Sequence, residues 1–118
     1  HIRTGSGNDV VEGGAGINVI EVGDGDNTIV VVGTDHVTAG KGRDFADFRR
    51  AGGGGYFVSN GGDDFVLGSR YADEFRSTGG KIHFEGGGGN DTLAGSGFLD
   101  GGSGNDSLTA GDQASILK

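Results

Sequence analysis

The chain has 118 residues, 29 of them glycine, with no proline, cysteine, methionine or tryptophan. Its formal net charge of −8 argues against a nucleic-acid surface, which needs a basic patch, and suits a cation as ligand. Without cysteine there is no disulfide staple and no thiolate metal site, and no apolar run nears the ~18 residues of a membrane-spanning helix.

Glycine at this level would by itself suggest disorder, but the glycines and the aliphatic residues recur in phase, with a period of nine. Thr4–Glu12 (TGSGNDVVE) has glycine at places two and four, Asp9 at six and Val11 at eight. Gly13–Glu21 follows with Asn18 and Ile20, and Val22–Val30 with Asn27 and Ile29. Val31–Thr38 is one residue short and carries Asp35 and Val37; Ala39–Asp47 carries Asp44 and Ala46. Phe48-Arg49-Arg50 then interrupts the phase. Ala51–Ser59 reads with Tyr56 at place six and Val58 at eight, and Asn60–Leu67, again short, with Asp64 and Val66. Gly68–Arg76 gives Asp73 and Phe75, Ser77–Glu85 gives Ile82 and Phe84, and Gly86–Ala94 gives Asp91 and Leu93. Gly95–Asp100 is cut to six residues around Leu99; Gly101–Thr109 restores the unit with Asp106 and Leu108, and Ala110–Lys118 ends it with Ser115 and Leu117. Residues 1–118 read as one repeat domain with irregularities near 31–38, 48–50, 60–67 and 95–100.

Glycine at places two and four permits tight turning without a Cβ clash. The last three residues of each unit suit a short strand with place eight facing in and places seven and nine facing out. One unit is then a turn plus a strand, half of a coil. Successive strands fall alternately on two parallel sheets, and about thirteen half-turns stack to roughly 30 Å at the ~4.8 Å strand spacing. An amphipathic helix is no rival, because each interior glycine costs it up to about 1 kcal/mol.

The units GGGGNDTLA at Gly86–Ala94, GGSGNDSLT at Gly101–Thr109 and TGSGNDVVE at Thr4–Glu12 resemble the RTX (hemolysin-type calcium-binding) nonapeptide repeat. The resemblance implies an all-β parallel β-roll, Ca²⁺ as cofactor, and ions held between same-side turns by place-six carboxylates and glycine carbonyls. It also implies a structural part of a larger secreted bacterial protein exported by type I secretion, such as a toxin, protease, lipase, epimerase or adhesin. Any enzymatic activity would lie outside these residues. The chain opens inside a repeat without an initiator Met, so it is expected to be a piece of something longer.

The residues support calcium independently. Units two apart lie above one another, so Asp73, Asp91 and Asp106 form a column in which charges ~4.8 Å apart repel by roughly 3 kcal/mol at an effective dielectric of 20. A hard divalent cation reverses that, and oxygen is the ligand Ca²⁺ takes. The expected ligands are Asp73, Asp91 and Asp106 first, with the turn glycines Gly86, Gly88, Gly101 and Gly104 supplying carbonyls. Asp9 with Asn27, and Asn27 with Asp44, should bind less well; Asp44 with Asp64 is expected to be broken by the Phe48–Arg50 insertion, and Asp35 faces Tyr56. Tyr56, Ile82 and Ser115 depart from the motif, so no ion is expected there. The alternative for every one of these carboxylates is a plain Asx-turn.

Nothing points to catalysis. His36 and His83 fall at outward places on opposite sheets, no serine sits in a G-x-S-x-G elbow, and the runs Gly52–Gly55 and Gly86–Gly89 lack the Lys-Ser/Thr and helix of a phosphate loop. The outward place-seven row Val10, Thr28, Phe45, Phe65, His83, Phe98, Ile116 is more apolar than its counterpart, read as Val19, His36, Phe57, Glu74, Thr92, Ser107. The first row is expected to dock the rest of the parent chain or a protein partner near Phe45 and Phe65, or a polysaccharide; β-propensity alone would also place aromatics there. A mostly calcium-free solenoid serving as an adhesin spacer is the other alternative, favoured by Asn18, Asn27, Tyr56 and Ile82.

Overall fold

A computed structural model describes residues 1–111 and 116–118; Ser115 lies outside the described residues. Among them are fourteen strands and no helix. They are β1 (Ile2–Arg3), β2 (Val10–Glu12), β3 (Val19–Glu21), β4 (Thr28–Val30), β5 (His36–Ala39), β6 (Phe45–Asp47) and β7 (Tyr56–Ser59), then β8 (Phe65–Leu67), β9 (Glu74–Ser77), β10 (Ile82–Glu85), β11 (Thr92–Gly95), β12 (Gly97–Asp100), β13 (Ser107–Ala110) and β14 (Ile116–Leu117). Odd-numbered strands form one seven-stranded sheet and even-numbered strands the other, each in simple sequence order. All pairings are parallel, as in Ile20↔Val37 and Ala46↔Val66. The result is a two-sheet parallel β-roll, flat in outline at 32 × 29 × 13 Å.

The period of nine dictates this shape. Place eight points between the sheets, and Val11, Ile20, Ile29, Val37, Ala46, Val66, Phe75, Phe84, Leu93 and Leu99 are all buried there. Leu108 is half-buried against the core, and Leu117, on the last strand of its sheet, is exposed. The turns stack backbone on backbone. Gly25 has φ +111, and a Cβ on it would strike the Gly7 carbonyl of the neighbouring coil; Gly42 meets Gly25 in the same way. Only glycine fits that column.

One stretch is out of the expected phase. Val37 pairs with Phe57, not with Val58, and Tyr56 pairs with His36. Phe57 therefore takes the inward place eight, Val58 faces out, and Tyr56 stands in the outward row, its ring stacked 5.0 Å from that of His36. Phe57 accordingly leaves that outward row, where the sequence reading had put it. Phe48 does not belong to an external interruption. It is fully buried and takes place one of the unit, stacked beyond Val31, as Ala39 is beyond Val22 on the other turn side. Arg49 and Arg50 alone bulge out. Four glycines in a row, Gly52–Gly55, let the chain slip by one residue, and Phe48 decides the register. It packs 5.3 Å from Phe75, which with Phe57 and Phe84 forms an edge-to-face cluster at 5.8–6.4 Å. Such aromatic pairs contribute about 0.5–1.5 kcal/mol beyond their burial.

Candidate metal centre

Between turn and strand each unit passes through place six, whose side chain points into the roll. The parallel stacking gathers these positions into two columns. One holds Asn18, Asp35, Gly55, Asp73, Asp91 and Asp106; the other holds Asp9, Asn27, Asp44, Asp64 and Ile82. Each column is a ladder in which a side-chain oxygen accepts the backbone N–H of the preceding coil. Asp106 Oδ1 accepts from Asp91 N–H at 2.9 Å, Asp91 Oδ1 from Asp73 N–H at 2.8 Å, and Asp73 Oδ1 from Gly55 N–H at 2.6 Å. In the other column Asp64 Oδ1 accepts from Asp44 N–H at 2.9 Å, Asp44 Oδ1 from Asn27 N–H at 3.0 Å, and Asn27 Oδ1 from Asp9 N–H at 3.0 Å. The Asp44–Asp64 step is intact. The insertion lies on the opposite turn column and does not break it.

The ladder uses one carboxylate oxygen and leaves the other. Oδ2 of Asp9, Asp35, Asp44, Asp64 and Asp91 is buried without a hydrogen-bond partner. An unpaired buried carboxylate oxygen is costly, and at three of these residues burial disfavours the charged form. Burial, with the Asp73 and Asp106 charges adding to it, pushes the Asp91 carboxyl up to about 7. Burial, aided by Asp64 and Asp26, pushes Asp44 up to about 6, and burial also raises Asp64. An all-oxygen lining with an unsatisfied negative charge fits a hard cation.

The glycines shape the space. A Cβ on Gly86 would collide with Asp91 Oδ2 and would lie 2.8 Å from the Gly101 carbonyl oxygen; a Cβ on Gly101 would collide with Asp106 Oδ2. Place-one glycine thus leaves a small gap between a carboxylate oxygen and the next coil's carbonyl. Gly104 turns at φ +113 against the Gly89 carbonyl, and Gly88 N–H donates to the Ser69 carbonyl at 3.0 Å. Among the described residues no three acidic or histidine side chains gather at one point, so a cation held here would draw heavily on carbonyls.

The expected ligands do not all stand alike. Asp73 has no orphaned oxygen, because Ser69 donates its N–H to Oδ2 at 2.8 Å and its hydroxyl lies 2.9 and 3.1 Å from the two carboxylate oxygens. Asn27 spends its amide on the Gly23 and Gly25 carbonyls and on Asp44 Oδ1, at 3.0, 3.2 and 2.8 Å. Asn18 likewise donates to Asp35 Oδ1 at 2.9 Å. Ile82 closes its column with a buried apolar side chain, and Tyr56 is not at place six at all, where Gly55 stands. Sequence reasoning missed Ser69 at place two. Its signal is that GSRYAD replaces the glycine of GGGGND with a hydroxyl four residues before the aspartate.

A sequence profile described as the RTX calcium-binding nonapeptide repeat (4 copies) matches residues 3–31, 58–93 and 94–117. The chain belongs to this family. No curated protein and no solved structure matches the chain. It is therefore a calcium-binding RTX repeat module, structural rather than catalytic. No helix among the described residues is long and apolar enough to cross a membrane. The unmatched gap, residues 32–57, contains all but the first residue of the short Val31–Thr38 unit and the whole Phe48–Gly55 slip.

Proposed function

We propose that the chain is the calcium-clamped roll of a larger exported bacterial protein, unfolded or loose where calcium is scarce and closed on reaching extracellular calcium. The observation that carries this reading is the row of orphaned Oδ2 atoms at Asp9, Asp35, Asp44, Asp64 and Asp91. The first ion lies between the Asp91 and Asp106 turns, with Gly86, Gly88, Gly101 and Gly104 in the surrounding turns. Asp9, Asp35, Asp44 and Asp64 hold further ions in poorer surroundings, while Ser69 replaces the ion at Asp73 and amide ladders replace it at Asn18 and Asn27. A site that forms only in the fold converts its affinity into folding free energy. Ca²⁺ tolerates the irregular, carbonyl-rich coordination that Mg²⁺ refuses. In a far-UV circular dichroism titration of EDTA-stripped chain, Ca²⁺ and not Mg²⁺ should raise the β signal or its melting temperature. A β signal complete in EDTA and a melting temperature unmoved by calcium would contradict the reading and favour a self-sufficient spacer.

A further inference from the structure

The even-numbered sheet carries an aromatic strip on its outer face, flanked by Lys118, whose ammonium lies 5.4 Å from the Phe98 ring centre. The rings of Phe45, Phe65, His83 and Phe98 stack in one ladder, with centroids 5.5, 4.3 and 4.6 Å apart. Because each ring covers the face of the next, the ladder offers edges rather than open faces to a partner, which disfavours a sugar ring seeking a flat aromatic surface. Two residues before Thr28, Phe45, Phe65 and His83 on this face, at the turn, stands a charged side chain on the same side of the sheet; two before Phe98 stands Ser96. In order along the roll these are Asp26, Arg43, Asp63 and Lys81, all exposed. The backbone keeps them in line, since Asp26 Oδ1 accepts Arg43 N–H and Asp63 Oδ1 accepts Lys81 N–H, both at 2.9 Å. Among the described residues neither Arg43 nor Lys81 forms an ion pair.

The row alternates in sign, and read from the other end it is its own complement. We propose that this face binds a second copy of the chain, antiparallel, about a two-fold axis that runs along the strand direction between β6 and β8. Such an axis keeps charge row over charge row and reverses its order. Asp26 then faces Lys81 of the second copy, Arg43 faces Asp63, and each contact occurs twice, as an isologous interface requires. On the same axis Phe45 meets Phe65 of the second copy, and Val10, 76 % exposed, covers Phe98. The far flank opposes this pairing at one point, since Glu12 faces Asp100 of the second copy there, while the Asp47 charge is neutralised by Arg49 at 2.8 Å. The broad face of 32 × 29 Å is of the size needed for the roughly 800 Å² per partner of a stable interface. This inference rests on the fold and not on where calcium sits.

The test is sedimentation velocity of the whole chain in calcium-containing buffer, with circular dichroism to verify that every variant keeps the roll. The wild type should dimerise in the micromolar range. Arg43→Asp, which removes no side-chain hydrogen bond, sets Asp against Asp63 and should weaken the dimer about tenfold or more, because like charges face each other twice. Asp63→Arg should do the same by setting Arg against Arg43. An equimolar mixture of the two variants restores opposite charges at both contacts and should form a heterodimer. A monomeric wild type, single variants that still dimerise, or folded variants that fail to associate when mixed would each overturn the proposal.

Discussion

The turn that ends in Asp73 and the turn that ends in Asp91 lie one above the other in the same column, yet they close in different ways. In Gly68–Asp73 the Ser69 N–H and hydroxyl satisfy the carboxylate, and the strand that follows buries Phe75 among Phe48, Phe57 and Phe84. In Gly86–Asp91 there is no hydroxyl at place two. Gly87 and Gly89 turn at φ +87 and +90, Asp91 keeps an orphaned oxygen, and the core residue is Leu93. The same aspartate in the same motif position thus has both oxygens hydrogen-bonded in one coil and one left without a partner in the next, although burial raises both carboxyls. On the proposed reading, a place-six aspartate serves as a metal ligand only where places one and two leave its outer oxygen without a donor.

The comparison is broken most forcefully at Phe75. Phe75→Ala should cost about 3–5 kcal/mol, equally in EDTA and in calcium, as measured by denaturant unfolding; a loss confined to one condition would mean that the aromatic cluster and the ion are not separate supports. Asp91→Asn keeps an oxygen for the Asp73 N–H but removes the buried charge. It should stabilise the EDTA form while abolishing one site's share of the calcium increment, about 2.7 kcal/mol at a hundredfold excess over Kd. Ser69→Gly orphans Asp73 and should lower stability in EDTA by about 1–3 kcal/mol, while enlarging the shift in melting temperature that calcium produces.

A smaller effect follows from pH. In the fold Asp91 titrates near 7 and Asp44 near 6, against an ordinary 3.8. Between about 4 and 7 the folded chain therefore holds more protons than the unfolded chain, so in EDTA its stability should fall as pH rises through that window. Calcium needs the carboxylates, so its own increment should grow over the same range. Melting curves at several pH values, with and without calcium, should diverge in this way, and parallel curves would contradict the assignment of these carboxyls to the ion sites.

Much of this was legible in the residues themselves. The nine-residue phase placed ten of the inward side chains, the two columns and the aromatic strip, because glycine turns and single inward aliphatics leave one way to coil. The phase failed at Val58, where Gly52–Gly55 carry no side chain to fix the register and buried Phe48 fixes it instead. Ser69 was invisible for another reason: a serine in a glycine-rich turn reads as neutral until its distance to the carboxylate is known. The orphaned oxygens were equally hidden, since the sequence names a carboxylate but not which of its two oxygens the ladder has used.

The most direct measurement is hydrogen exchange of the backbone amides, followed peptide by peptide in EDTA and in calcium. The account predicts that calcium slows exchange most across Gly86–Thr109, where an ion would clamp a turn whose Asp91 carboxylate keeps one oxygen without a donor. The Gly68–Arg76 turn, closed by Ser69, should already be protected in EDTA and change least. Equal slowing of both turns, or none in either, would contradict the claim that the Asp91 turn is left open for calcium and the Asp73 turn is not.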